Sequence, residues 1–213
     1  MPFLKKSLNS ISGIIILTLI LAVLSCINFI SPENIFSHIF SASFAFLIMF
    51  IIPVFVIKIG LKKELSNFGF RMPVNFKEAI ILTIFLFLFI TPFLFVFSNQ
   101  LDFQNYYLSG GLSSANFIFL AILLPLFYFL AEEFLFRGFF FFSLFRKIGV
   151  HSFWVVSLVF VLFHLTKPLP EILFSFFVSI LFCYLSYRTK SFLPAFVVHF
   201  LMSVLMNGLI IFT

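Results

Sequence analysis

The chain has 213 residues, of which 63% are hydrophobic and only 9% charged, against roughly 25% charged in an ordinary soluble domain. Composition of this kind excludes a water-soluble globule, and 40 Phe residues exceed what one core of this size can hide. The formal charge of +6 does not point to nucleic acid, because the basic residues fall between apolar runs rather than in one patch. The expected fold class is therefore all-α: a polytopic transmembrane helix bundle of about seven spans in a single membrane domain, with the lipid bilayer as its first partner.

In chain order, residues 11–30 form an apolar run long enough to cross a bilayer, closed by the turn-forming Ser31-Pro32-Glu33-Asn34. Further runs cover residues 36–59, 79–97, 115 to about 136, 152–165, 172–187 and 192–212, separated by breaks rich in Pro, Gly, Asn or charge. The fifth and sixth are short for full crossings, which implies tilting or extension by flanking residues. Residues 98–114 read as an ordinary polar surface connection. Val23-Leu24-Ser25-Cys26 loosely resembles a lipoprotein cleavage site, but six spans follow, so the first run reads as an uncleaved helix. Cys26 and Cys183 stand in separate apolar stretches with no metal or redox spacing. Nothing in the sequence addresses oligomeric state.

Basic residues alternate between loops. Lys5, Lys6, Lys58, Lys62, Lys63, Arg71, Lys77, Arg146, Lys147, Arg188 and Lys190 fall on one side and Lys167 alone on the other. By the positive-inside rule the N-terminus is expected to be cytoplasmic; the compact length and the lack of a eukaryotic targeting segment make a bacterial inner membrane the expected location.

Ionisable groups inside a bilayer are disfavoured by ~2.5–3.5 kcal/mol each on insertion scales, so the exceptions carry the information. They are Glu132, Glu133 and Arg137 in and after the fourth run, His164 near the end of the fifth, and His199 in the seventh. Glu133 and Arg137 stand four apart in the favourable order for a helical ion pair. Glu132 is then turned ~100° away and must meet a polar cavity or another helix. Phe160 and His164, and His199 and Ser203, share a helix face in the same way. One carboxylate and two imidazoles on three helices suit either a metal-free water-activating site or a divalent-metal site formed by Glu132, His164 and His199. A membrane scaffold using these groups as polar glue, and a small proton-linked transporter, are the alternative readings. His38 and His151 have no polar companions at helical spacing and read as boundary residues.

A depth conflict follows from these boundaries. Glu132 lies ~8 Å from Arg137 and His199 ~10 Å from Phe192, whereas His164 lies ~25 Å from Lys147 along a straight helix. The three meet only if residues 138–150 re-enter the membrane or the helices tilt.

Glu132-Glu133-x-x-x-Arg137, Phe160-x-x-x-His164 and His199-x-x-x-Ser203, in this order, resemble the three motifs of the CPBP intramembrane proteases, the family of CAAX prenyl endopeptidases and bacteriocin-processing or self-immunity proteins, also called the ABI family. Leu65-Ser66-Asn67-Phe68-Gly69-Phe70-Arg71 resembles a basic segment that precedes the family's core. On this resemblance, residues 1–59 supply two N-terminal helices and 60–213 the catalytic core. The resemblance implies hydrolysis of a membrane-associated peptide or protein substrate. Glu132 and His164 would activate water, Glu133 and Arg137 would orient the site, and His199 with the residue at 203 would stabilise the oxyanion. The family's third motif usually ends in Asn where this chain has Ser203. A hydroxyl donates only one hydrogen bond, and Asn207, one turn further on, would substitute only if its helix were rotated or bent. The family has been described both as metal-dependent, with zinc as the natural candidate, and as glutamate-based.

Overall fold

A computed structural model describes residues 10–26, 35–109 and 111–212. The turn at residues 31–34, Lys5, Lys6 and the side chain of Cys26 lie outside the described residues. The described part is helical, with no strand among its residues. In lipid the backbone N–H and C=O groups must be satisfied within the segment, and a helix is the only local way to do so.

Eight helical segments follow in order: α1 (Ile11–Cys26), α2 (residues 35–60), α3 (Phe76–Ser98), α4 (Leu101–Ser109), α5 (Ile118–Ile148), α6 (His151–Phe163), α7 (Leu169–Thr189) and α8 (Leu193–Phe212). Five of them, α2, α3, α5, α7 and α8, contain stretches long and apolar enough to cross a bilayer, while α1 and α6 are shorter apolar helices. The sixth apolar run thus belongs to a full-length helix of 21 residues, and of the two runs read as short only the fifth remains so. α6 packs along α7, α3 along α8, and the first half of α2 against α5, which also touches α8. The lipid-facing side of α3 carries exposed Phe85, Leu88, Phe89 and Val96.

Two sequence expectations need correction. The fourth helix does not stop near residue 136. It runs on to Ile148, with Phe134 to Phe141 buried as the centre of the core and Arg146 and Lys147 in its last turn. A run of aromatic residues after Arg137 was read as a boundary because a charge precedes it, yet that charge is itself buried. With the helix extended, Glu132 lies about 24 Å from its Ile148 end and His164 about 20 Å from the start of α6, so the depth conflict disappears without a re-entrant segment. The second correction concerns residues 98–114, which contain the helix α4. Its Phe103 is fully buried against Phe97.

His199 sits only about 9 Å into α8, but α8 starts inside the protein. Ser191 and Phe192 ahead of it are fully buried. They are covered by the basic segment after α2, where Leu65–Phe68 forms one 3-10 turn and Phe68 is buried. The Phe192 N–H donates to Gly69 O at 3.3 Å, the Val74 N–H to Thr189 O at 3.1 Å and the Ser191 hydroxyl to Arg71 O at 2.5 Å. Gly69 permits this approach: its φ is +74°, and a Cβ there would lie 2.4 Å from the Phe142 ring. Gly138 in α5 receives the same segment, with Phe68 O 3.0 Å and the Phe134 ring 2.7 Å from where a Cβ would be.

Candidate active site

α5 changes from α-helical to π-helical winding at Phe134–Phe140, immediately after the two glutamates. Wider turns of this sort recur at functional sites because they re-aim side chains that regular winding would bury in the ladder. Glu133 and Arg137 form the pair expected from their spacing, Nη1 to Oε1 at 3.1 Å, with both side chains fully buried. The guanidinium lies 4.0 Å from the centre of the Phe160 ring and 5.1 Å from that of Phe182, so aromatic faces take up part of the charge that water cannot reach. Cys183 also lies beside Arg137.

His199 approaches the same carboxylate from α8. Its Nδ1 lies 2.7 Å from Glu133 Oε1 and 3.8 Å from Glu132 Oε1. The imidazole is packed between Phe129 at 4.2 Å and Phe182 at 5.5 Å between ring centroids, which fixes its plane. With Nδ1 engaged by Glu133, Nε2 is the ring atom left for other chemistry.

His164 is the residue that closes α6, and its Nδ1 lies 2.9 Å from Phe160 O. A carbonyl oxygen can only accept, so Nδ1 carries the hydrogen and Nε2 is the unprotonated acceptor. The Phe160-x-x-x-His164 spacing therefore performs two tasks: the ring of Phe160 receives Arg137, and its carbonyl sets the tautomer of His164.

Glu132, His164, His199 and Ser203 all line one cavity of about 580 Å³. Glu132 is turned toward it as its helical phase requires, while Glu133 and Arg137 sit behind the wall. The remaining lining is largely apolar, from residues such as Leu94, Phe97, Leu124, Phe174 and Met202. Asn207 shares the wall with Ser203, and its Nδ2 lies 3.5 Å from Ser203 Oγ, so both residues reach the cavity from successive turns of α8. Buried polar atoms in a cavity of this character are the usual mark of a reaction site.

For a metal, the geometry groups Glu132, Glu133 and His199, whose ligand atoms lie within 4.8 Å of one another. His164 is not part of that group, and Glu133 takes the place expected of it. Glu132 Oε1 and Glu133 Oε2 are buried without a hydrogen-bond partner. Two such oxygens beside an imidazole fit the donor chemistry of a divalent cation.

Several cavity residues were not singled out by the sequence. His38, in the first turn of α2, lines the cavity, and His151 begins α6. Tyr106 and Tyr107 of α4, Lys167 between α6 and α7, and Glu171 in the first turn of α7 line it as well. The Tyr107 hydroxyl donates to Glu171 at 3.0 and 3.1 Å, and Lys167 Nζ lies 3.5 Å from Glu171. Burial pushes the Tyr107 phenol up, and the adjacent Glu171 carboxylate adds to the effect. The legible signal was Phe103-x-x-Tyr106-Tyr107, an i, i+3, i+4 pattern inside a segment otherwise rich in Asn, Gln and Ser.

The type II CAAX prenyl endopeptidase Rce1-like family model matches residues 114–205, the part of the chain that holds all three motifs. No curated protein and no solved structure matches the chain.

Proposed function

We propose, from the premise that residues 114–205 belong to the type II CAAX prenyl endopeptidase Rce1-like family, that this integral membrane protein is an intramembrane endopeptidase. Its substrates are small membrane-associated or prenylated-type peptides and proteins, and bacteriocin maturation or self-immunity is the setting we favour. The observation that carries the reading is the convergence of Glu132, His164, His199 and Ser203 on one cavity in an otherwise apolar bundle. A charged or polar group at such depth is costly unless it does chemistry or binds.

In this reading Glu132 takes the proton of the attacking water, and the bare Nε2 of His164 accepts its second hydrogen, so the water is both oriented and made nucleophilic. Glu133, anchored by Arg137, holds His199. That contact occupies Nδ1, and Nε2, when it carries a hydrogen, donates to the oxygen of the tetrahedral intermediate. The Ser203 hydroxyl is a second donor to that oxygen. In place of those roles, Glu132, Glu133 and a neutral His199 would be the residues to hold a divalent cation such as zinc, which would supply Lewis-acid polarisation of a carbonyl or a water of lowered pKa. The basic-loop asymmetry supports an N-terminus in the cytoplasm, and a bacterial inner membrane is the location we favour.

The presence of Ser203 in place of the family's Asn favours one second reading, a non-catalytic membrane immunity or scaffold protein of the same fold. One experiment separates the two. Purified wild type and Glu132→Gln are compared on a library of membrane-tethered peptides, with thermal unfolding as the control for folding. The endopeptidase reading expects cleavage by wild type and a loss of about 10²- to 10⁴-fold in the variant at unchanged stability. Equal turnover by both overturns it.

A further inference from the structure

The cavity holds the reactive groups at one place and a single permanent cation beside them. Among the described residues lining it, Lys167 is the only Lys or Arg. It stands one turn beyond His164, its backbone N–H donating to His164 O at 2.9 Å. Its ammonium lies 4.7 Å from the centre of the Tyr106 ring and 4.9 Å from that of Tyr107, so two aromatic faces hold it at the cavity wall.

The nearest carboxylate does not saturate this ammonium. Glu171 is 3.5 Å away, beyond the 2.7–2.9 Å of a close charge-assisted hydrogen bond, because both of its oxygens are drawn to the Tyr107 hydroxyl. An ammonium has three hydrogens, and with Glu171 and the Tyr106 hydroxyl beside it one remains for a further acceptor. Burial works against the charge, but the Glu171 carboxylate beside it outweighs burial and holds Lys167 well above its ordinary range, so it stays cationic. Near Glu132 and Glu133 an anion is repelled, and Arg137 is committed behind the wall. Apart from the donors assigned to the oxyanion, Lys167 is therefore the one group on this wall suited to hold an anion.

Resting on the endopeptidase reading, we propose that Lys167 is a specificity-determining residue that anchors a carboxylate of the peptide substrate, within a few residues of the bond presented to Glu132 and His164. A main-chain terminal carboxylate and an Asp or Glu side chain share this chemistry.

The test uses the full chain in lipid nanodiscs and a palmitoylated fluorescent decapeptide in three forms: free C-terminus, C-terminal amide, and amide with one Asp near that end. Binding and cleavage are measured separately. Wild type is expected to bind at least one anionic form about tenfold or more tighter than the plain amide. Preference for the free acid identifies the terminal carboxylate as the ligand, and preference for the Asp peptide identifies the side chain. Lys167→Met is expected to erase the preference, with the effect in KM rather than kcat, and Lys167→Arg to keep most of it. Glu171→Gln, which leaves Lys167 in place, is expected to widen it severalfold. An equal preference in wild type and Lys167→Met, a narrowed one in Glu171→Gln, or none in wild type overturns the proposal. A preference that depends on Lys167 without cleavage of any peptide by wild type supports the anchor and overturns the endopeptidase reading.

Discussion

Oε1 of Glu133 is shared: the oxygen that accepts Arg137 from the next turn of the same helix at 3.1 Å also meets Nδ1 of His199 at 2.7 Å. Removing the carboxylate therefore strands a fully buried guanidinium and frees an imidazole together. Glu133→Ala is expected to cost about 3–5 kcal/mol, the usual penalty for breaking a buried pair from one side. The double variant Glu133→Gln/Arg137→Met is expected to cost less than the sum of the two single changes, because no unpaired charge remains. Unfolding of the purified variants in detergent measures both.

Position 203 tests the oxyanion role. Ser203→Ala is expected to lower kcat with little change in KM, by up to about 10²- to 10³-fold if the hydroxyl is a full oxyanion donor. Ser203→Asn, which restores the residue usual at that place in the family, is expected to raise kcat above wild type. Asn207→Ala reports whether the amide 3.5 Å from the hydroxyl helps to orient it. Steady-state kinetics on any cleaved peptide decides, and a Ser203→Ala enzyme of wild-type kcat removes Ser203 from the mechanism.

The metal reading has its own readout. Zinc added to the purified protein and then desalted is expected to remain at one ion per chain, and to be lost in Glu132→Ala and His199→Ala, measured by elemental mass spectrometry. Because Glu133 and not His164 completes the donor group, His164→Ala should retain the ion. Retention in the first two variants, or loss in the third, rejects this set of ligands.

Gly138 and Gly69, neither of which lines the cavity, predict packing effects. Gly138→Ala puts a methyl 2.7 Å from the Phe134 ring and 3.0 Å from Phe68 O, an overpacking that costs about 1–3 kcal/mol. Gly69→Ala adds left-handed strain to a closer contact and is expected to cost more. A lowered unfolding temperature in both, larger for Gly69→Ala, is the expected result.

Much of the architecture was readable because lipid imposes a coarse rule: apolar runs become helices and charges avoid them. The same rule misplaced the end of α5, since Arg137 looks like a boundary when its partners are unknown. The tertiary contacts with Phe160 and Phe182, added to the local pair with Glu133, make it a core residue. The polar wall of the cavity was legible from Glu132, His164, His199 and Ser203, each an exception on an apolar helix. Lys167 and Glu171 were not, because charges near helix ends are ordinary, and the two tyrosines sit in a segment whose composition resembles a loop. The exchange of Glu133 for His164 in the donor group follows from helix rotation and the partner chosen by each ring nitrogen, and neither is written in residue spacing.

The segment Leu65–Val74 has a consequence for how the protein is built. It grips the connection between the last two helices and forms the ledge from which α8 rises. During synthesis that ledge leaves the ribosome long before its tenants. The final hairpin is thus gripped at its turn by chain made some 120 residues earlier, and the height at which His199 comes to rest is set by a stretch that forms no part of the cavity wall.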